Sequence, residues 1–207
     1  MIVVVNYGMA NLRSVVKAIQ FLGIEVKISD RASIIRKAKK LILPGVGHFG
    51  RAVKELKKRK IFSLIRDRIK DGVPFLGICL GMQLIFKNSQ EAPSLCGLGL
   101  IEGEVKKFSK SKIIVPHMGW NQIKFRSPVT SHKLPDLFKG IKNGSFFYFA
   151  HSYYCSPFNK NVSLSTTHYG IEFTSSLHKE NIWAVQFHPE KSQRLGIKLF
   201  KNFLYLC

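Results

Sequence analysis

The chain has 207 residues, 45% of them hydrophobic, with 33 Lys and Arg against 12 Asp and Glu, for a formal charge of +21. That length holds one sizeable domain with a well-buried core rather than two, and no apolar run is long enough to span a bilayer. The four cysteines are far apart without a C-x-x-C pair, which argues against a zinc ribbon or a disulfide scaffold and for a reducing compartment.

In chain order, "IVVVN" (2–6) reads as a buried strand. It follows a start with no basic leader, so no signal peptide is expected and a cytoplasmic protein is. Leu12, Val15, Ile19 and Leu22 recur at helical spacing, and "EVKIS" (25–29) and "KLILP" (40–44) read as the next two strands. Two helical patterns follow. The first carries the basic block "KELKKRK" (54–60) opposite Val53 and Leu56, and the second puts Ile61, Leu64, Ile65 and Ile69 on one face. "PFLGI" (74–78) is a fourth strand and "LGMQLIF" (80–86) opens another helix. This alternation predicts an α/β fold with a doubly wound, mostly parallel sheet flanked by helices.

The second half is richer in strands: 100–108, 112–116, 121–125, 145–150, 161–169, 171–178 and 182–187. A turn at Tyr169-Gly170 suggests antiparallel pairs that extend or cover the sheet. A last helix, 191–206, directs Leu195, Leu199, Phe200, Phe203 and Leu206 to the core. With no repeat, low-complexity tract or long linker, residues 1–207 are read as one domain.

Three stretches carry chemistry. "GICLG" (77–81) puts Cys79 on a tight turn between a strand and a helix. There the nucleophile projects above the sheet edge, and the helix N-terminus favours a thiolate. The bland alternative is a buried cysteine between packing glycines. "AVQFHPE" places His188 just after a strand, and in an extended chain Glu190 shares its side, where a carboxylate would orient the imidazole. "LILPGVGHFG" (41–50) fits G-x-G-x-x-G, but it follows the third strand and lacks an acidic residue placed to hold a ribose. Beside the strand bearing Cys79, the N–H groups of Gly45, Val46 and Gly47, with that of Leu80, could instead form an oxyanion hole.

"PGVGHFG", "PFLGICLGMQL" and "VQFHPEKS" together resemble the class I (triad) glutamine amidotransferases, from end to end and in the family's order. "YGMANLRSV", "PHMGWN" (116–121) and "YFAHSYY" (148–154) narrow the resemblance to the glutaminase subunits of imidazole glycerol phosphate synthases, in histidine biosynthesis. The resemblance implies that Cys79 attacks the glutamine carboxamide, His188 moves protons and Glu190 orients it. It implies glutamine binding at Gln83, Ser152 and Tyr153. It further implies a (β/α)8-barrel cyclase subunit, docked over the site as the heterodimer partner, which takes up the ammonia and forms imidazole glycerol phosphate and an aminoimidazole carboxamide ribonucleotide. Residues His117, Met118, Gly119, Trp120 and Asn121 fall at that interface, as do Asn11 and Lys191; for these two a helix cap and a solvated lysine are the alternatives. No metal or organic cofactor is implied.

The family usually carries Asp-Tyr-Gly where this chain has Asn6-Tyr7-Gly8, a change expected to touch local hydrogen bonding or docking but not the triad. Three other readings stay open. One is a paralogous glutaminase supplying a sugar amidotransferase for surface polysaccharides. Another is a stand-alone γ-glutamyl thiol hydrolase. The last is a nucleic-acid binder, which the charge would suit although no recognisable nucleic-acid module is present.

Overall fold

The computed structural model describes residues 1–109, 113–126 and 136–207. Five parallel strands form one half of its main sheet: β1 (Ile2–Val5), β2 (Val26–Ser29), β3 (Lys40–Gly45), β4 (Phe75–Cys79) and β13 (Ile182–Val185), in the order β2-β1-β3-β4-β13. β1, β3, β4 and β13 are short, mostly apolar and buried on both faces, as parallel strands under crossover helices must be, whereas β2 at the sheet edge exposes Lys27 and Ile28. Alternate residues divide between the layers. Val3, Val5, Leu41 and Leu43 pack under α2 (Ala32–Arg36), α3 (Phe49–Lys58) and α4 (Phe62–Lys70). Val4, Ile42, Leu76 and Ile78 pack under α1 (Leu12–Gln20) and α6 (Gln193–Leu206). The expected doubly wound arrangement is therefore present.

The other half is antiparallel except for its last pair, β5 with β6, which is parallel. β12 (Ile171–Lys179) pairs with β13 on one side, then come β10 (Tyr153–Pro157) and β6 (Ile101–Lys107), with β5 (Phe86–Ser89) alongside β6 at the edge. β11 (Ser163–Tyr169) forms a hairpin with β12 through Gly170, whose φ of +69° suits glycine, and carries β8 (Lys124–Phe125) beyond it. A separate ribbon of β7 (His117–Gln122) and β9 (Phe146–His151) sends Phe147 and Phe149 into the core beside α6. The antiparallel strands thus both extend the sheet and cover it.

Several boundaries differ from the sequence expectations. The helix expected over 80–86 is α5, Leu80–Leu84, because the chain turns at Ile85 and Phe86 enters β5. Of the strand expected over 112–116, Lys112 lies outside the described residues and 113–116 run as bends with a cis Val115–Pro116 bond, so the strand starts at His117 instead. The expected strand 121–125 divides between β7 and β8, and β10 and α2 were not anticipated. The last helix starts at Gln193 after a 3-10 turn, Pro189–Lys191, and its Leu206 is 39% exposed rather than in the core. Among the described residues no helix is long and apolar enough to cross a membrane.

Candidate active site

Cys79 ends β4 and caps α5 with φ 53° and ψ −105°, a left-handed conformation rare outside glycine and strained for a residue with a Cβ. Two close approaches hold it there. A Cβ at Gly77 would stand 2.8 Å from the Gly81 carbonyl oxygen, and one at Gly81 would overlap the carbonyl oxygen of Leu43 in β3. Glycine at both positions lets strand and helix meet at the turn that presents the sulfur. The side chain is 4% exposed and opens on a cavity of about 370 Å³ lined also by Gly47, Leu80, Gln83, Glu91, Ser152 and Tyr153.

His188 follows β13, the strand next to β4, so the parallel register brings it to the same C-terminal sheet edge as Cys79. Glu190 does not reach it through strand alternation as the sequence suggests. The chain turns into the 3-10 segment Pro189–Lys191 instead, and within that turn Glu190 Oε1 meets His188 Nδ1 at 2.7 Å, both side chains being buried. The backbone of His188 is held by its own N–H donating to the Tyr148 carbonyl and by its carbonyl accepting from Ser192 Oγ. Nδ1 thus carries its proton toward the carboxylate. Among the described residues Nε2 has no hydrogen-bond partner of regular geometry, although Cys79 is close enough to act on the ring electrostatically. Burial alone would lower the imidazole pKa, but negative charge at Cys79 and the Glu190 carboxylate outweigh it and push the value up to about 10. The resting site therefore favours an imidazolium beside the sulfur.

Gly45 is level with Cys79 across β3 and β4, as the oxyanion reading requires. Its lack of a side chain is needed, since a Cβ would overlap the Tyr7 hydroxyl. Gly47 is on the cavity wall with φ +97°. Val46 departs from expectation: its N–H donates to the Met9 carbonyl at 2.6 Å, so in this conformation it is not available to an oxyanion. Gly50 lies within α3, not in a phosphate loop.

Ser152 and Tyr153 line the cavity as expected. Gln83 does too, but its amide is engaged, with Nε2 donating to the Tyr153 carbonyl at 3.1 Å and to Gln186 Oε1 at 3.4 Å. Sequence reasoning missed Glu91. This carboxylate lines the cavity, and its Oε2 accepts from Phe49 N–H at 2.6 Å. It stands in no local motif; only the fold sets it beside residues 79 and 153.

The residues expected at a partner interface divide. Met118 and Trp120 are 63% and 46% exposed, and Lys191 is exposed with its Nζ over the Tyr148 ring. Gly119, between them, has φ +133° and no described residue within 4 Å of where a Cβ would stand. His117 instead points inward, contrary to an interface role for its side chain. Its Nδ1 is 3.0 Å from His151 Nε2 and its Nε2 is 3.2 Å from Asn121 Nδ2, while Asn121 Nδ2 also donates to the His168 carbonyl. His151 Nδ1 in turn donates to the Tyr153 carbonyl at 2.8 Å. Burial lowers both imidazoles, to about 4 for His117 and about 3 for His151. They are a neutral, satisfied pair that braces the cavity wall. Strand alternation accounts for the division, since neighbouring residues of β7 face opposite ways. Asn11 caps α1 through its Oδ1, which accepts from Ser14 N–H, and Asn6 accepts from Gly8 N–H.

With this geometry in view, the chain can be set beside known proteins. Residues 3–207 match the family described as glutamine amidotransferase class-I. The imidazole glycerol phosphate synthase subunit HisH of Moorella thermoacetica is 46% identical over 202 residues, covering 98% of this chain and 93% of that protein. The subunits of the same name from Aquifex aeolicus and Methanocaldococcus jannaschii are 46% and 44% identical. Coverage is 97% of this chain and 94% of the protein for the first, and 100% of both for the second. A crystal structure of a glutamine amidotransferase superposes with a TM-score of 0.75 at 20% identity, over 98% of this chain and 96% of the other, which bears on the fold alone.

Proposed function

The chain belongs to the class I glutamine amidotransferase family, and we propose that it is the glutaminase subunit of an imidazole glycerol phosphate synthase, with Cys79, His188 and Glu190 as its triad. The observation that carries the reading is the meeting of a strained cysteine, an imidazole and a buried carboxylate at one sheet edge, beside a cavity of amino-acid size.

The Cys79 sulfur attacks the carboxamide carbon of glutamine. The oxygen of the tetrahedral adduct takes up negative charge and lies against N–H groups of Leu80 and the Gly45–Gly47 stretch. His188, cationic in the resting site, gives its Nε2 proton to the departing nitrogen, and ammonia leaves. The imidazole, now neutral and held in one tautomer by Glu190, takes a proton from water as that water attacks the thioester. Glutamate leaves and the thiolate–imidazolium pair returns. At the other end of the substrate, Glu91 is placed to take the α-ammonium group, with Ser152 and Tyr153 beside it.

Ammonia passes to a (β/α)8-barrel cyclase subunit. We place its docking surface on Met118, Gly119 and Trp120, and next to them Lys191, close to the cavity mouth. Asn11 belongs to this surface only through the helix end that it caps. Such a partner has a specific task at Val46. The bond from this N–H to Met9 withholds one oxyanion donor, and rotation of the peptide on docking would supply it. The isolated single-domain chain is then a slow glutaminase, and full activity in the cytoplasm requires its partner.

The experiment compares glutamine-dependent and ammonia-dependent synthesis by the complex carrying Cys79→Ala. Loss of the first with retention of the second is expected. Loss of both would make Cys79 a structural residue, and retention of both would remove it from the chemistry.

A further inference from the structure

The sulfur of Cys79 receives a hydrogen bond that the triad does not account for: Gln186 Nε2 donates to Sγ at 3.6 Å. Gln186 is fully buried one residue past β13, where Val185 is level with Ile78 of β4, so position 186 comes level with position 79. Its Oε1 accepts from Gln83 Nε2 at 3.4 Å, and that nitrogen also donates to the Tyr153 carbonyl at 3.1 Å.

The polarity of this chain of amides is determined from one end. A backbone carbonyl can only accept, so Gln83 must turn its NH₂ to Tyr153. The same NH₂ meets Gln186, which must therefore present its oxygen to Gln83 and its NH₂ to the sulfur. Flipping either amide sets donor against donor or oxygen against oxygen. A donor aimed at sulfur interacts best with a thiolate, whereas an S–H would have to turn away from it, toward His188 Nε2 or the Ala150 carbonyl at 3.9 Å.

We propose that Gln186 is a positioning residue for the glutaminase reaction: its amide anchors Sγ and biases it toward thiolate, and through Gln83 this bias is tied to the Tyr153 segment of the cavity wall. The inference rests on the reading of Cys79 as the nucleophile. Among the described residues the other titratable groups next to the sulfur are Tyr7, Cys155 and His188, the last backed by Glu190, with His151, Glu91 and Tyr153 on the wall of the same cavity. Burial first, and then charge at Cys79, push Tyr7 and Cys155 upward, so both stay neutral, and His151 is neutral through burial. Gln186 itself does not titrate. Its loss should displace the whole titration of the sulfur without adding an inflection.

The test is the rate of iodoacetamide alkylation of the full-length chain against pH, with adducts at Cys79 quantified by peptide mass spectrometry and the exposed Cys96 as internal reference. A hydrogen bond to a charged group is worth enough to move a titration by about one pH unit. Gln186→Leu should shift the Cys79 midpoint upward by about that much and slow alkylation by about tenfold on the acid side of the midpoint, with Cys96 unchanged. In the complex, assayed on the acid side of that midpoint, kcat for glutamine should fall by a similar factor while KM moves less than about twofold. Gln83→Leu, which leaves the donor but removes its orienting partner, should give a smaller shift in the same direction. A folded Gln186→Leu chain with an unmoved midpoint would overturn the proposal. If that variant does not fold, Gln186→Glu decides, because it keeps the volume and replaces the donor with an acceptor. Its midpoint must rise by more than one unit, and an unchanged midpoint again overturns the proposal. Full glutaminase activity in Cys79→Ala would instead sink the nucleophile reading, while the alkylation profile would still report on the contact between Gln186 and the sulfur.

Discussion

Gly77→Ala adds one methyl group between β4 and the start of α5, two residues before the sulfur. The new Cβ would stand 2.8 Å from the Gly81 carbonyl oxygen, 2.9 Å from its carbonyl carbon and 3.0 Å from Met82 N, all of them backbone atoms that no rotamer change can move aside. Relaxed carbon–oxygen contacts begin near 3.3 Å, so the first turn of α5 has to move by roughly 0.5 Å. Overpacking of this kind costs about 1–3 kcal/mol, which for a chain of this size lowers Tm by roughly 3–10 °C. The shift falls on the turn that aims Cys79. Misplacement of about 1 Å can reduce a rate a hundredfold, so about tenfold in kcat/KM is expected for half that displacement.

Gly72→Ala is the control. Its φ is +87°, and no described residue lies within 4 Å of the added methyl, so it incurs backbone strain of about 1 kcal/mol without moving the nucleophile. Thermal melts and glutamate release by the complex should show Gly77→Ala losing both stability and activity, and Gly72→Ala losing a little stability alone. Equal activity loss in the two variants, or none in Gly77→Ala, would refute the argument that these glycines matter by seating the nucleophile.

Glu190→Gln removes the charge that favours the imidazolium and allows the wrong tautomer, so kcat should fall by two or more orders of magnitude with KM little changed; a loss under about threefold would exclude an orienting carboxylate. Glu91→Gln keeps an acceptor for Phe49 N–H but not the charge for a substrate ammonium. It should raise KM for glutamine by about tenfold or more with a smaller effect on kcat, and a pure kcat defect would place Glu91 elsewhere. The pH dependence of stability has a definite sign. His188, raised to about 10 from 6.5, binds more protons folded than unfolded between those values, so its contribution is complete below pH 6.5 and is lost toward pH 10. Cys79→Ala removes the first cause of that rise and should flatten the alkaline loss of Tm. An unchanged slope would mean that the two side chains do not interact. His117 and His151 act oppositely, and their contribution is lost as pH falls from 6.5 toward 4 and 3.

The parallel half of the fold was legible because its strands are short apolar runs divided by helical spacing, and burial on both faces leaves such runs little alternative. The antiparallel half was harder. "SFFYFAHSYYC" is almost continuously aromatic, and nothing in it marks Ser152 as the break between β9 and β10, which follow different partners. Residues 80–86 read as helix because Leu, Met and Gln favour one, yet the pairing of Phe86 with Ile101 draws the chain into β5. At the site, Cys79, His188 and Glu190 announce themselves through local constraints, although the turn that joins the last two is a 3-10 segment and not the extended chain that their spacing suggested. Glu91 and Gln186 have no local signature. Their roles arise from contacts with residues between 42 and 107 positions away, which only the folded sheet edge creates.

Most directly, the account can be tested by incubating the complex with 6-diazo-5-oxo-norleucine, a glutamine analogue that traps a thiol nucleophile, and mapping the adduct by peptide mass spectrometry. One equivalent on Cys79, blocked by excess glutamine and absent from His188→Ala at neutral pH, is the expected result. An adduct on another residue, or none on a complex that still turns over glutamine, would contradict it.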